Sequence, residues 1–135
     1  MKLQIAMEYL IIVGVVLVFL IPIWVYVTVS QNEALGDLSL SYARTAVEKL
    51  RSAADMVYSQ GAPAKVRQNV YFPSGLEEAA LQGSSVVLTV RTYAGLSNVS
   101  AVCKGNLTGA LPQEEGNYLF TVEAIDHTVS ITYAT

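Results

Sequence analysis

The chain begins with one long run of apolar positions and ends in short alternating ones. Residues 9–32 hold no charged side chain, and residues 11–27 read IIVGVVLVFLIPIWVYV. About 20 apolar residues in a helix cross the hydrocarbon core of a bilayer, so this run is long enough to span one. It is longer than a secretory h-region of about 7–15 residues. Lys2 precedes the run, and the first charges after it are Glu33 and Asp37. The positive-inside bias therefore places the N-terminus in the cytoplasm and residues 33–135 outside.

Beyond the run, apolar positions fall at Leu35, Leu38, Tyr42, Ala46, Leu50, Ala53 or Ala54, and Val57. Steps of three and four mark one face of a continuing helix. Arg44 with Glu48 and Arg51 with Asp55 stand one turn apart as expected ion pairs. Gly61 suits the left-handed position after a helix, and Pro63 cannot continue one. The pattern predicts a helix over residues 4–59, then a joint at 60–64 (QGAPA). Pro22 lies inside and is expected to bend the helix or open one hydrogen bond. Lipid or a helical bundle tolerates such a defect.

After Pro63 the period falls to two. Residues 65–72 predict a strand ended by Pro73-Ser74-Gly75. Residues 76–92 predict a hairpin turning at Gly83-Ser84, with Val86, Leu88 and Val90 on one face. Its first arm, LEEAAL, also reads as a short helix. Residues 99–103 and 107–111 predict short strands around Lys104-Gly105-Asn106, and 118–124 pairs with 128–133 across 125–127. Six or seven short strands with turns about every 8–12 residues predict a small antiparallel β-sandwich-like head over 65–135. The fold class is thus α+β, a long N-terminal helix followed by that head.

Composition sharpens this picture. Hydrophobic residues make up 53% and charged residues 14%, against about 25% charged in an average soluble domain. Mean hydropathy is +0.43. A net charge of −3 argues against a basic nucleic-acid-binding face, so no nucleic-acid partner is expected. One cysteine and one histidine allow neither an intrachain disulfide nor a His-based metal cluster. A zinc finger, a disulfide-stapled mini-domain and a disordered tail are excluded by the same counts.

Glu8 stands at the margin of the apolar run, where a carboxylate costs a few kcal/mol if carried toward the bilayer centre. Either it stays among headgroups or it has a positive partner. A cut between Leu3 and Gln4 would supply one, a free α-amine on Gln4, and would make Glu8 the fifth residue of the mature chain. At this point QIAMEYLIIVGVVL resembles the N-terminus of type IV pilins, specifically the archaeal class III signal-peptide group. Gln4, Glu8, Tyr9 and Leu10 match its pattern position by position. Residues 53–75 and 107–124 resemble later segments of archaeal pilin-like proteins.

The resemblance implies a structural role. Residues 1–3 would be a leader removed by a prepilin peptidase, with Leu3 and Gln4 flanking the cut. A cytoplasmic assembly ATPase and a membrane platform protein would then extract subunits into a helical homopolymer outside the cell. Residues 4–59 would form its core and the head its coat. Gln4, Glu8, Gly14 and Pro22 are the candidate assembly residues, Gly14 for close helix approach and Pro22 for a local bend. Two sequons, Asn98-Val99-Ser100 and Asn106-Leu107-Thr108, make Asn98 and Asn106 candidate glycosylation sites near predicted turns of the exported part. Alternatives of other kinds are a minor pilin or pseudopilin of a secretion or uptake machine, and a signal-anchored monomer whose head binds a ligand.

Other features read as structure. Asp126-His127 falls in a turn, and no Gly-x-Ser-x-Gly motif accompanies it. Cys103 reads as a small buried apolar residue. Tyr26, Tyr42 and Tyr58 read as core packing, and Glu77-Glu78 and Glu114-Glu115 as solvated charges rather than a calcium site. No Gly-rich phosphate loop is present. No enzymatic activity, metal or cofactor is expected.

Overall fold

The computed structural model describes Met1–Thr135. Helix α1 runs Lys2–Gln60, and seven strands follow: β1 Lys65–Phe72, β2 Leu76–Gln82, β3 Ser85–Thr92, β4 Gly95–Val102, β5 Asn106–Gly109, β6 Gly116–Ile125 and β7 Thr128–Ala134. The chain divides into two compact units, Met1–Ala34 and Leu35–Thr135.

The first unit is helix alone. Every side chain in residues 1–28 is exposed. α1 continues through Pro22. Proline has no N–H, so the Val18 carbonyl lacks its usual donor.

The second unit contains the last turns of α1 and two sheets, in the orders β1-β6-β7-β5 and β2-β3-β4. Ala43, Ala46, Val47, Leu50, Ala53, Ala54 and Val57 of α1 are buried. They share one core with Val70 and Phe72 of β1, Val86, Leu88 and Val90 of β3, Phe120 and Val122 of β6, and Val129 and Ile131 of β7. In each of these strands the buried residues alternate, as a pleated strand with one covered face requires. The helix stripe packs only from Ala43 onward. Leu35, Leu38 and Tyr42 belong to the same predicted face but remain exposed.

The helix ends at the predicted glycine. Gly61 has φ 77° and its N–H donates to the Val57 carbonyl at 3.0 Å. Further on, Asp55 receives the Lys104 N–H at 2.8 Å, and the Tyr58 ring lies directly over buried Gly105. A side chain at 105 would occupy the space of that ring. These contacts tie the end of α1 to the β4–β5 connection.

Several expectations are corrected. The head is not wholly antiparallel: β5 pairs parallel with β7, Asn106↔Thr128 to Gly109↔Ile131. The strands expected at 99–103 and 107–111 are β4 and β5, with other bounds, and they lie in different sheets. β4 begins at Gly95, pairs with β3, and hands the chain over to the other sheet. At this crossing the Cys103 N–H donates to Ser84 and the Leu107 N–H to Gly83. A four-residue alternating segment encodes a face but not a direction, so the parallel pairing has no local signal. LEEAAL is strand β2, held by β3 on one side and by Gln113, whose amide bonds both the N–H and the carbonyl of Ala79 at 3.1 and 2.7 Å.

Among the helix charges, Arg51 takes both Glu48 (3.5 Å) and Asp55 (3.9 Å), so the expected Arg44–Glu48 pair is not formed. Nor do the three tyrosines fill the core. Tyr26 is 75% exposed, Tyr42 packs edge-on against Tyr71, and Tyr58 is partly exposed over Gly105. Asp126 and His127 form the exposed β6–β7 turn, with Asp126 at φ 52°. Glu77 pairs with Arg91 at 2.7 Å on the surface.

Two predictions follow from this core. Leu50→Ala removes a fully buried link between α1 and the sheets and is expected to cost about 2–5 kcal/mol, read as a lowered denaturant midpoint of the detergent-solubilised protein. Cys103 is buried beside Asp55, and burial first, then that carboxylate, push its thiol from 9.0 up to about 11. The fold therefore keeps neutral a thiol that the unfolded chain ionises at lower pH. Its contribution to stability is full below pH 9 and falls as pH rises toward 11. Cys103→Ala is expected to lose that part of the alkaline stability slope, visible as the difference between the two pH profiles.

Candidate assembly and modification sites

The candidate residues fall in both units. In the first, Leu3 and Gln4 are exposed in the opening turn of α1, where Ile5 donates to the Met1 carbonyl at 3.3 Å. N–H groups of a first helical turn have no partner within the helix, so this peptide is among the least firmly held in α1. Glu8 is exposed and forms no ion pair. Gln4 lies four residues before it, on the same helix face. Lys2 lies six before it, off that face, so no cation of the helix is placed to serve it.

Gly14 is open: a Cβ added there meets nothing within 4 Å. The notch it leaves is unfilled within the chain. Leu17, Leu20, Ile21, Trp24 and Val25 border a shallow apolar hollow of about 250 Å³. The helix carries the length and composition of a membrane span, and none of its most apolar stretch is covered by the rest of the chain. What Gln4, Glu8, Gly14 and Pro22 share is one uncovered helix, not a convergent pocket.

In the second unit, the two sequons are separate and neither occupies a turn. Asn98 lies in the middle of β4, and Asn106 opens β5. Both side chains are exposed. Asn98 Oδ1 accepts the Thr89 hydroxyl at 3.0 Å across the β3–β4 ladder. Sequence reasoning passed over Arg44 and Glu48 except as an ion pair. They instead wall two grooves flanking α1, one against β4 and one against Val66 and Gln68 of β1. No sequence signal marks these grooves, because they arise from strands distant in the chain, β1 and β4. No group of three or more His, Cys, Asp and Glu side chains is placed to hold a metal ion.

No protein-family model, curated protein or solved structure matches the chain. The architecture itself, a long apolar N-terminal helix followed by a small head of two β-sheets, is consistent with a pilin-like, membrane-anchored structural subunit.

Proposed function

We propose that the chain is an archaeal type IV pilin, which polymerises through its N-terminal helix into an extracellular filament used for adhesion. One observation carries the reading: the apolar N-terminal stretch of α1 exposes every side chain over residues 1–28, whereas the core formed by α1 and the sheets takes residues of α1 only from Ala43 onward. Before assembly, lipid covers residues 9–32, with the N-terminus inside and the head outside. A prepilin peptidase cuts between Leu3 and Gln4. A cytoplasmic ATPase and a membrane platform protein then move the subunit from lipid into the helical homopolymer, where neighbouring helices replace the lipid.

Cleavage changes the electrostatics of the helix start. It removes Lys2 and creates an α-amine on Gln4, four residues from Glu8. A helix partner or a neighbouring subunit's amine then neutralises the carboxylate when it is drawn out of the headgroup region, where an unpaired charge is costly. Close packing at Gly14 brings neighbouring helices together without a side chain between them.

Glu8→Ala is expected to abolish filaments while leaving the protein inserted in the membrane. The check is to shear and pellet filaments and to assay the membrane fraction for the subunit; normal filament yield from the variant overturns the role given to Glu8. Subunits in sheared wild-type filaments are expected to begin at Gln4, read by intact mass and N-terminal sequencing. An intact Met1 there overturns the processing step. Uncut chains confined to membranes favour the anchored-monomer reading instead.

A further inference from the structure

The head has two ends, and its turns divide between them. At the end where α1 stops lie the β2–β3 turn at Gly83-Ser84, the Lys104-Gly105 crossing and the β6–β7 turn at Asp126-His127. Polar residues make all three. The β3–β4 turn lies at the other end, beside the start of the head's share of α1. A Cβ added to Gly36 would stand 3.5 Å from Thr92 Cβ and 3.5 Å from the Tyr93 nitrogen.

This turn is built differently. Tyr93 and Ala94 occupy it, between the paired Thr92 and Gly95. Two-residue turns favour Asn, Asp and Gly, so turn formation does not select a tyrosine here. Tyr93 and Leu96 are both 62% exposed. Residues 92–103 hold no charged side chain. Arg91, the nearest charge of the hairpin, is paired with Glu77 at 2.7 Å. The Thr92 hydroxyl donates to the Gly95 carbonyl at 2.9 Å. Part of the turn's backbone is therefore satisfied without water, which lowers the cost of leaving water.

The apolar run ends close by in the chain. Val29, its last apolar residue, precedes Gly36 by seven residues of unbroken helix, a rise of about 10 Å. The headgroup layer on each side of a bilayer's hydrocarbon is roughly 5–8 Å deep. A tyrosine at the turn is long enough to cover the remainder. Tyrosine is also the kind of residue enriched at that depth, its ring in the apolar margin and its hydroxyl in water. Glu33 and Asp37, on either side of Gly36, are exposed and stay among hydrated headgroups. We infer that the β3–β4 turn is a second membrane contact: before any assembly, Tyr93 and Leu96 enter the headgroup layer of the leaflet facing the head and hold the head against the lipid surface. The inference rests on residues 9–32 spanning a bilayer, but not on filament formation.

The test uses the full chain in phosphatidylcholine vesicles at low protein density. Trp24 is the only tryptophan. In the wild-type protein it reports on the anchor. In a Trp24→Phe background, Tyr93→Trp reports on the turn and His127→Trp on the opposite end of the head. Each protein meets lipid carrying a nitroxide near its headgroup, and acrylamide in the water, with circular dichroism to show that the head is folded. The expected result is quenching of Tyr93→Trp by the lipid nitroxide with shielding from acrylamide, and the reverse for His127→Trp. Adding Leu96→Asp to Tyr93→Trp is expected to abolish the lipid quenching, since a carboxylate resists leaving water. Acrylamide quenching of Tyr93→Trp equal to that of His127→Trp overturns the inference. So does lipid quenching that Leu96→Asp leaves unchanged, since the tether alone then keeps the turn near lipid. Shielding that appears only at high protein density also overturns it and gives the turn to a second copy of the chain. In all three cases lipid quenching of wild-type Trp24 leaves the anchor standing. If Trp24 also escapes the lipid nitroxide, the membrane reading falls together with the inference.

Discussion

Water is not a possible surrounding for residues 9–32. The helix they form exposes every side chain but that of Val29, which is partly covered. At about 25 cal/mol per Å², hiding on the order of 1,500 Å² of apolar helix surface is worth on the order of 40 kcal/mol. That exceeds the net stability of an ordinary domain, about 5–15 kcal/mol, by several fold. The helix must therefore always be covered from outside, and the remaining design follows from how that cover is provided. A head that had to fold around this segment could not release it to lipid or to neighbouring helices. The observed core begins at Ala43, after the apolar run has ended, so the head folds with the run left free.

The head solves a problem of size by borrowing helix. Seven short strands in two sheets, one of three strands and one of four, offer two apolar inner faces. Seven small or medium residues of α1, four of them alanine, close the core between those faces. Alanine lets backbone and sheet approach closely, and Leu50, Val47 and Val57 supply the volume. The polar ties then fix direction: Asp55 holds the Lys104 N–H, and Gln113 acts as a short strand beside Ala79. The same arrangement leaves the outer face of α1, with Arg44 and Glu48, bordered by grooves on both sides.

What was legible in the sequence was whatever depends on local period. The uncharged run, the helix stop at Gly61 and the hairpins 76–92 and 118–133 need only neighbours in the chain to be recognised. The packed stretch of α1 was legible as a face, but Leu35, Leu38 and Tyr42 continue its period without being covered. Periodicity records what a helix offers, not what reaches it. The pairing of β4 with β3, the parallel entry of β5 beside β7, and the choice of Glu48 by Arg51 rather than Arg44 depend on competition between partners, which no local pattern ranks. Of the candidate sites, Leu3, Gln4, Glu8, Gly14 and Pro22 were found because a membrane helix makes any polar, small or ring-closed residue conspicuous. The sequons were found by motif, but that Asn98 sits mid-edge rather than in a turn is visible only once the sheets are assembled.

Glu8 shows why a covering that works in lipid does not by itself drive assembly. Lipid tails are as apolar as leucine, so exchanging them for neighbouring helices releases no hydrophobic free energy. Direction has to come from terms that differ between the two surroundings. Within residues 1–32 the only charged side chains are Lys2 and Glu8, six apart and on different faces. An intact chain thus carries a carboxylate that no cation of its own helix can satisfy, which favours keeping the helix start among headgroups. Under the proposed cut, a new N-terminus at Gln4 would bring a positive charge two residues closer and onto the face of Glu8. Under that proposal, the same residue would change from a reason to stay at the interface into a specific contact that bare lipid cannot match. On the proposed reading, the cut and the carboxylate are one device, and neither is sufficient without the other.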